Sequence, residues 1–190
     1  MKPLAQVAAW LDEARAAGVL EPEAMALATA TAQGVPSVRF VLCRGIDDEG
    51  VRFFTNYDSR KALELDSNPR ASVGFFWASF KRQVRIEGTV GRLGAVDSDA
   101  YFQSRPRGNQ ISACVSPQSR VIASLEDLRR QQVELEAKLA GAPVPRPANW
   151  GGYGLVASRV ELWTAGADRL HDRRLFERRG AEWLETRLAP

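Results

Sequence analysis

Apolar residues at the start of the chain recur every three or four positions. Leu4, Val7 and Leu11 follow this repeat, and Gly18 comes where it stops. Residues three and four apart lie on one face of a helix, and glycine commonly ends helices. The pattern therefore predicts an amphipathic helix within residues 1–18.

Farther along, the pattern changes to short apolar runs that are rich in β-branched residues and separated by turn residues. These runs are AMALATAT, SVRFVLCR, VRFFT, ASVGFFW and RQVRIEGTVGRL. In the last run, Val84 and Ile86 alternate with Gln83 and Arg85, which gives one apolar and one polar face. Alternation with a period of two predicts β-strands.

Helical spacing returns between and after these runs. We predict helices over DSRKALELDSN, DSDAYFQSR and SLEDLRRQQVELEAKLA, the first of them capped by Asp58 or Ser59. Residues 141–150 contain too much proline for a helix or a central strand, so we interpret them as a connector. Residues 151–190 return to strand-like runs.

The predicted strands are joined mostly by turns rather than by helices. This order favours an antiparallel barrel or sandwich over a doubly wound parallel sheet. We therefore predict a mainly β fold with flanking helices, a small barrel that forms a single domain over residues 1–190.

Composition restricts the class of protein. Hydrophobic residues make up 45% of the 190 residues and charged residues 26%, which is typical of a soluble globular protein. The net charge of +3 is compatible with anionic small molecules and points only weakly to nucleic acid. Cys43 and Cys114 lack the spacing of a disulfide framework or redox motif, and we see neither a secretory signal nor a membrane span. We expect a cytoplasmic protein that binds neither nucleic acid nor a membrane.

The string RLHDR holds the only histidine of the chain, between two arginines. If this segment is a strand, Arg169, His171 and Arg173 share one face and Asp172 lies on the other. Such a cationic face is favoured when an anionic or electron-rich group lies against it. It argues against a Ser–His–Asp triad, and one histidine with two distant cysteines does not form a zinc site, so we expect no metal.

A second candidate site is TNYDSRK, in which Arg60 and Lys61 begin a helix directly after a strand. Cations at a helix start oppose the helix dipole unless an anion neutralises them, and the first N–H groups there also favour anions. The pattern therefore favours an anion site. The alternative is a solvated first turn.

A third candidate is SRPRGNQ, where Tyr101 lies one helical turn before Arg105. The alternative is a surface turn in which Tyr101 packs and the arginines are solvated. Trp77, Trp150 and Trp163 lie in apolar runs or beside the connector, so we expect them in the core more than at a ligand.

The strings RFVLCRG, FFTNYDSRKALEL, RQVRIEG, YFQSRPRGNQI, SPQSR, WGGY, RLHDR and RLAP occur in this order between residues 21 and 190. Together they resemble the pyridoxamine/pyridoxine 5′-phosphate oxidase family. The resemblance implies a homodimeric split β-barrel that binds FMN in two symmetric clefts at the subunit interface. It also implies oxidation of pyridoxamine or pyridoxine 5′-phosphate to pyridoxal 5′-phosphate, with O2 reduced to H2O2.

The resemblance assigns roles by position. The residues implied to bind FMN are Arg39, Phe40, Val41, Leu42, Arg44, Phe54, Thr55, Arg60, Lys61, Gln83, Gln118, Ser119, Trp163 and Arg173. The residues implied to bind the phosphorylated substrate are Arg44, Tyr101, Arg105, Asn109, Arg169 and His171. Of these, Arg169 and His171 would cover the pyridine ring as the catalytic pair.

The sequence departs from the family pattern mainly at the substrate phosphate. Arg44 stands where lysine is usual, and Asn109 stands where serine is usual. Arginine keeps the charge with a planar fork, and asparagine still donates hydrogen bonds but is bulkier. Cys114 replaces a tryptophan. Because the chain starts almost at its first helix, we expect the arginine- and tyrosine-bearing N-terminal arm of many relatives to be missing.

Three other functions are compatible with these patterns. Another flavin oxidase of the same fold, such as the phenazine-biosynthesis relatives, would keep the FMN residues and lose the substrate-phosphate set. This alternative is opposed by Tyr101, Arg105, Arg169 and His171, whereas Arg44 and Asn109 favour it mildly. A non-catalytic flavin- or heme-binding split barrel would bind cofactor without turnover. A nucleic-acid-binding barrel would need exposed aromatics among its cations.

Overall fold

The computed structural model describes residues 2–190, in which strands predominate and helices flank them. The helices are α1 (Pro3–Ala16), α2 (Arg60–Ser67), α3 (Ala95–Ser104), α4 (Arg107–Val115) and α5 (Leu125–Leu139). The strands are β1 (Ala24–Ala30), β2 (Pro36–Leu42), β3 (Gly45–Ile46), β4 (Gly50–Asn56), β5 (Arg70–Trp77), β6 (Arg82–Arg92), β7 (Trp150–Thr164), β8 (Asp172–Arg179) and β9 (Glu182–Arg187). The predicted mainly β class with flanking helices is confirmed.

The strands pair into a nine-stranded sheet in the order β2-β1-β5-β6-β7-β4-β3, and β8 pairs with both β7 and β9. The β1–β2, β5–β6 and β7–β8 pairs are antiparallel, as turn-joined strands require. Strand β7 therefore has β6 and β8 among its neighbours. In the β7–β8 register, Trp163 lies opposite Arg173.

The chain forms two compact units, and the first comprises residues up to Phe53 together with Glu64–Gly91 and Gly154–Pro190. Its core combines one face of α1 with alternate residues of the strands. On β6, the predicted alternation is confirmed, because Val84 and Ile86 are buried whereas Arg85 is exposed. Burial of this apolar face is the main stabilising contribution that the pattern supplies.

The other face of the same unit exposes large apolar side chains on β2 and β5. Phe40 is 77% exposed, Val38 is 68% exposed and Phe76 is 64% exposed. The β1–β2 register places the small Ala26 opposite Phe40. Val38 and Phe40 lie two positions apart on β2 and therefore share a face. Exposed apolar patches on a sheet are typical of surfaces that another protein covers.

The second unit comprises Phe54–Leu63 and Arg92–Tyr153. Phe102, Ile111, Val144 and Trp150 form its core. The glycines of the WGGY string lie at the start of β7, where they allow close packing. A Cβ atom at Gly151 would overlap the Tyr57 hydroxyl, and one at Gly152 would crowd Leu93 and Phe54.

Two local expectations were wrong. The strand predicted over RLHDR begins only at Asp172, because Ala167–Arg169 forms a 3-10 turn. Asp168 and Arg169 adopt positive φ values of 49° and 64°, so Arg169 and His171 do not alternate along a strand. Residues 107–115, for which we predicted no helix, form α4, which begins at Arg107 after a short turn at Arg105 and Pro106.

Within residues 2–190, no helix combines the length and the apolar character needed to cross a membrane.

Candidate functional site

The Lys61 cluster, consisting of Thr55, Ser59, Lys61 and Gln118, lies where β4 leads into α2. Lys61 is the second residue of α2 and is only 8% exposed. Its Nζ donates hydrogen bonds to Thr55 Oγ1 at 3.0 Å, Gln118 Oε1 at 3.0 Å and Ser59 Oγ at 3.3 Å. Thr55 also donates to Gln118 Oε1 at 2.9 Å, so the acceptors are themselves held in place.

These contacts hold an ammonium group at a helix start. The three oxygen acceptors are uncharged, and their hydrogen bonds orient the ammonium. The first N–H groups of α2 add partial positive charge at the same end. Charge and N–H donors together suit a phosphate better than any uncharged ligand.

Local hydrogen bonds explain why the chain turns at this position. Asn56 Oδ1 accepts a hydrogen bond from the Asp58 N–H at 2.7 Å, and the Ser59 carbonyl accepts the first helical bond from Leu63 at 3.0 Å. Asn149 Nδ2 donates to Asp58 at 2.6 Å. Arg60 follows as the exposed first residue of α2, and Ser119 lies in the loop after α4 with a φ of 70°.

Arg39 on β2 belongs to a separate hydrogen-bond network centred on Glu64 of α2. Its Nη2 donates to Glu64 Oε2 at 3.3 Å, and its Nη1 donates to the Leu27 carbonyl at 3.1 Å. The hydroxyls of Thr29 and Ser37 both donate to the same Glu64 oxygen at 2.5 Å. Arg39 is thus fixed in direction by a buried carboxylate.

The neighbours of Arg39 in sequence are placed differently. Phe40 lies on the exposed apolar face, while Val41 and Leu42 are half-buried at the end of β2. Arg44 lies beyond the strand, where its N–H donates to the Arg52 carbonyl at 2.8 Å. It lines a pocket of about 350 Å³ together with residues of α1.

Tyr101 belongs to an aromatic stack in the second unit. Its ring lies 3.9 Å from that of Phe54, and both rings are nearly parallel to Trp150. The Arg105 guanidinium lies 4.8 Å from the Trp150 ring, close enough for a cation–π contact. The structure thus brings together Tyr101 and Arg105, the pair that the sequence singled out.

Gln110 holds the corner between α3 and α4, although no sequence pattern singled it out. Its Nε2 lies 3.1 Å from each of the carbonyl oxygens of Phe102, Gln103 and Arg105. Asn109 is exposed in the first turn of α4 beside it. The two N–H hydrogens of the Gln110 amide are shared among three carbonyl oxygens at the end of α3. These hydrogen bonds fix the backbone that carries Arg105.

The Glu161 pocket, a cavity of about 220 Å³, gathers four of the other predicted residues. It is lined by Gln83, Arg85, Glu161, Trp163, His171, Arg173 and Pro190. Gln83, Trp163, His171 and Arg173 were predicted from the sequence, whereas Arg85 and Glu161 were not. Arg169, by contrast, lies in the exposed turn before His171.

Two contacts fix His171 within this pocket. Its ring centroid lies 4.7 Å from that of Trp163. The Gly166 N–H donates to His171 Nδ1 at 3.3 Å. Because Nδ1 accepts that bond, the proton of the neutral imidazole is on Nε2, which can donate to a ligand.

Strand alternation could have identified the two missed residues. Arg85 lies two positions after Gln83 on β6, and Glu161 lies two positions before Trp163 on β7, so each shares a face with a predicted residue. What alternation alone could not provide is the pairing that brings the two strands together.

Family comparison gives a consistent result over the chain. Residues 11–138 match the family described as pyridoxamine 5′-phosphate oxidase. Residues 150–190 match the pyridoxine 5′-phosphate oxidase C-terminal dimerisation region.

Similar sequences agree with this match. The chain is 49% identical over 188 residues to the pyridoxine/pyridoxamine 5′-phosphate oxidase of Rubrobacter xylanophilus, and 48% identical over 191 residues to that of Salinibacter ruber. Both alignments cover 99% of this chain, and they cover 87% and 89% of the two relatives.

Solved structures agree as well. PhzG from Burkholderia lata 383, in complex with tetrahydrophenazine-1-carboxylic acid, has a TM-score of 0.94 at 37% identity and covers 100% of this chain and 93% of its own. An FMN-binding protein from Nostoc punctiforme has a TM-score of 0.77 at 18% identity, with 98% and 96% covered, which supports the fold alone. The fold class predicted from the sequence is confirmed, and the chain belongs to the pyridoxamine 5′-phosphate oxidase family.

Proposed function

We propose that this protein is an FMN-dependent oxidase that converts pyridoxamine 5′-phosphate, pyridoxine 5′-phosphate or both to pyridoxal 5′-phosphate, with O2 as electron acceptor. The Lys61 cluster is the observation that carries this proposal, because it holds a buried ammonium at a helix start. Relatives that are 49% and 48% identical are named for this activity.

The Lys61 cluster would hold the FMN phosphate. Lys61 and Arg60 would supply charge, and Thr55, Gln118 and Ser119 would supply further polar contacts. The fit rests on donor chemistry, since an oriented ammonium beside the first N–H groups of α2 matches a dianionic group. The remaining proposed FMN residues, by family position, are Arg39, Phe40, Val41, Leu42, Arg44 and Phe54.

The substrate phosphate would be bound by Tyr101, Arg105, Asn109 and Arg44. Arg105 has its backbone fixed by Gln110, and its guanidinium lies against the Trp150 ring. A guanidinium has planar donor geometry, which favours bidentate contact with a phosphate.

Gln83, Trp163 and Arg173 would contact the flavin, and His171 with Arg169 would cover the pyridine ring of the substrate. Since His171 Nδ1 already accepts the Gly166 N–H, its Nε2 proton would be donated towards the substrate. The chemistry that FMN supplies when bound is acceptance of a hydride from the exocyclic C4′ carbon and passage of both electrons to O2, giving H2O2. For the amine substrate, water then releases ammonia and the aldehyde.

The protein would act as a homodimer. This is supported by the match of residues 150–190 to a dimerisation region and by the exposed apolar face formed by Val38, Phe40 and Phe76. A second copy would remove this face from water.

Anaerobic mixing of the FMN-loaded protein with pyridoxamine 5′-phosphate, and separately with pyridoxine 5′-phosphate, tests the proposal. We expect the visible flavin band to bleach and to return when air is admitted. If the protein does not retain FMN, the proposed cofactor is wrong. If it retains FMN but the flavin stays oxidised with both compounds, the proposed substrates are wrong.

The second candidate function is oxidation of a reduced phenazine precursor. It is favoured by the structural agreement with PhzG, at a TM-score of 0.94 and 37% identity. In the same experiment, bleaching by tetrahydrophenazine-1-carboxylic acid without bleaching by either vitamin phosphate would establish this alternative.

A further inference from the structure

Glu161 lies at the centre of the charged groups of the Glu161 pocket. It is only 5% exposed. Its Oε1 accepts a hydrogen bond from Arg173 Nε at 2.9 Å, and its Oε2 accepts one from Arg85 Nη2. Each carboxylate oxygen therefore holds a different arginine, one from β8 and one from β6.

The charge state of Glu161 follows from these contacts. Burial by itself would raise the pKa of Glu161, but hydrogen bonds from Arg173 and Arg85 and their positive charges outweigh it, so the pKa lies below its usual range. Glu161 is thus ionised at neutral pH. Two guanidinium charges and one carboxylate leave one net positive charge among the three side chains.

The two arginines are held but still accessible. Arg173 has a second anchor, since its Nη1 donates to the Ala189 carbonyl at 2.8 Å. The Arg85 side chain is 52% exposed even though it is bonded to Glu161. Both guanidinium groups line the pocket that also contains Gln83, Trp163 and His171.

We infer that Glu161 is a positioning residue that holds the guanidinium groups of Arg173 and Arg85 against the flavin ring of bound FMN, and thereby sets ring affinity and reduction potential. The inference rests on the proposed FMN binding and adds Arg85 as a second cation at the ring. A guanidinium held at a fixed position stabilises added electron density on a ring better than one that moves freely.

The alternative is that Glu161 acts only through its charge, and the two accounts predict opposite signs. If charge alone matters, Glu161→Gln leaves the pocket more cationic, so the potential of bound FMN rises and flavin binding does not weaken. If positioning matters, the arginines lose their fixed direction, so the potential falls and flavin binding weakens.

The experiment measures the dissociation constants of FMN and riboflavin and the midpoint potential of bound FMN, in the wild type, Glu161→Gln and Glu161→Asp. We expect both flavin affinities to fall roughly tenfold in each variant, because a hydrogen bond to a charged group is lost or lengthened. We expect binding of reduced FMN to suffer about tenfold more than that of oxidised FMN, which lowers the potential by about 30 mV. Equal losses for FMN and riboflavin would locate the effect at the ring rather than at the phosphate.

Glu161→Asp keeps the charge and shortens the side chain, so it also shows whether reach matters if Glu161→Gln folds poorly. Arg173→Met and the double variant Arg173→Met/Glu161→Gln provide a second check. With Arg173 removed, the Glu161 change should lower the potential much less than it does in the wild type. The inference would be overturned if the effects of Arg173→Met and Glu161→Gln on the midpoint potential of bound FMN were fully additive. A higher midpoint potential in Glu161→Gln than in the wild type would also overturn it.

Glu185→Gln is the matched control. Glu185 accepts a hydrogen bond from Arg174 Nε at 2.8 Å, on the strand pair next to Arg173 but outside the pocket. This variant should retain wild-type flavin affinity and potential. If wild-type protein does not bind FMN, the proposed function fails; if it does and both Glu161 variants match it, only this inference fails.

Discussion

The Lys61 cluster and the Glu161 pocket both present cations, but they stabilise them in different ways. Lys61 donates its hydrogen bonds to the uncharged oxygens of Thr55, Ser59 and Gln118. Arg85 and Arg173 share the ionised carboxylate of Glu161. The first arrangement orients a cation through uncharged acceptors, and the second fixes two cations through a shared carboxylate that cancels half of their charge.

This difference matches two kinds of ligand group. A phosphate carries charge of its own, so its binding gains most from a cation whose charge is retained. A flavin ring is neutral when oxidised, so it gains most from donors held in a defined direction. This contrast is consistent with the proposed roles of the Lys61 cluster at the FMN phosphate and of the Glu161 pocket at the flavin ring.

The largest expected effect is that of Lys61→Met on FMN affinity. Methionine retains the apolar stem and removes the ammonium, so FMN affinity should fall about 100-fold while riboflavin affinity changes less than about twofold. Titration by quenching of flavin fluorescence measures both. Lys138→Ala, at the exposed end of α5, is the control. If Lys61→Met weakened FMN and riboflavin binding equally, the Lys61 cluster would not act on the phosphate, and its proposed difference from the Glu161 pocket would be wrong.

A smaller effect is expected from Arg169→Ala, which removes a cation that belongs to neither the Lys61 cluster nor the Glu161 pocket. Arg169 is exposed and lies in the turn before His171. We expect turnover to fall about tenfold and FMN affinity to change less than about twofold, because the contact would be made to the substrate alone. Steady-state H2O2 production and FMN titration measure the two quantities. Arg179→Ala, which also removes an exposed arginine, is the control and should keep normal turnover. Normal turnover in Arg169→Ala would mean that the substrate binds elsewhere.

The smallest effect concerns acid stability of the Glu161 pocket. Because the folded-state pKa of Glu161 is lowered, its ion pairs contribute stability above the usual glutamate pKa of about 4.3, and lose it as pH falls through the lowered value. At neutral pH, Glu161→Gln should reduce the free energy of unfolding by about 2 kcal/mol.

Urea unfolding at a series of pH values would measure this difference, which should shrink below pH ~4. Glu185→Gln should reduce the free energy of unfolding by less at every pH, because the Arg174–Glu185 ion pair is exposed. A Glu161→Gln deficit that does not change with pH would mean that packing rather than charge holds the pocket together.

Much of the fold could be predicted because local pattern and tertiary structure agree in the strands. On β6 the alternation of Val84 and Ile86 with Gln83 and Arg85 gave the correct faces. The same reasoning failed at RLHDR, since the positive φ of Arg169 breaks the alternation and arginine gives no sequence signal for it. Helix α4 was missed because its first residues, with proline, glycine and asparagine nearby, have turn-like chemistry.

The candidate site could be predicted only in part for a related reason. Arg60 and Lys61 were identified from their place at a helix start, which is a local signal. Glu161 was not, because its role depends on the pairing of β7 with strands that are distant in sequence. The sequence-wide resemblance supplied the other FMN residues, and it contained no role for a carboxylate between two arginines.

The two glycines at the start of β7 have a consequence for how this protein tolerates change. Glycine-to-alanine replacement is a common route to thermostable variants, because it restricts the unfolded chain. At Gly151 and Gly152 alanine is excluded even though neither residue has a positive φ, because an added methyl group would overlap Tyr57 at the first position and Leu93 or Phe54 at the second. Neighbouring side chains occupy the space that a Cβ atom would need at these two positions. A library of variants made to increase thermal stability should therefore keep glycine at both.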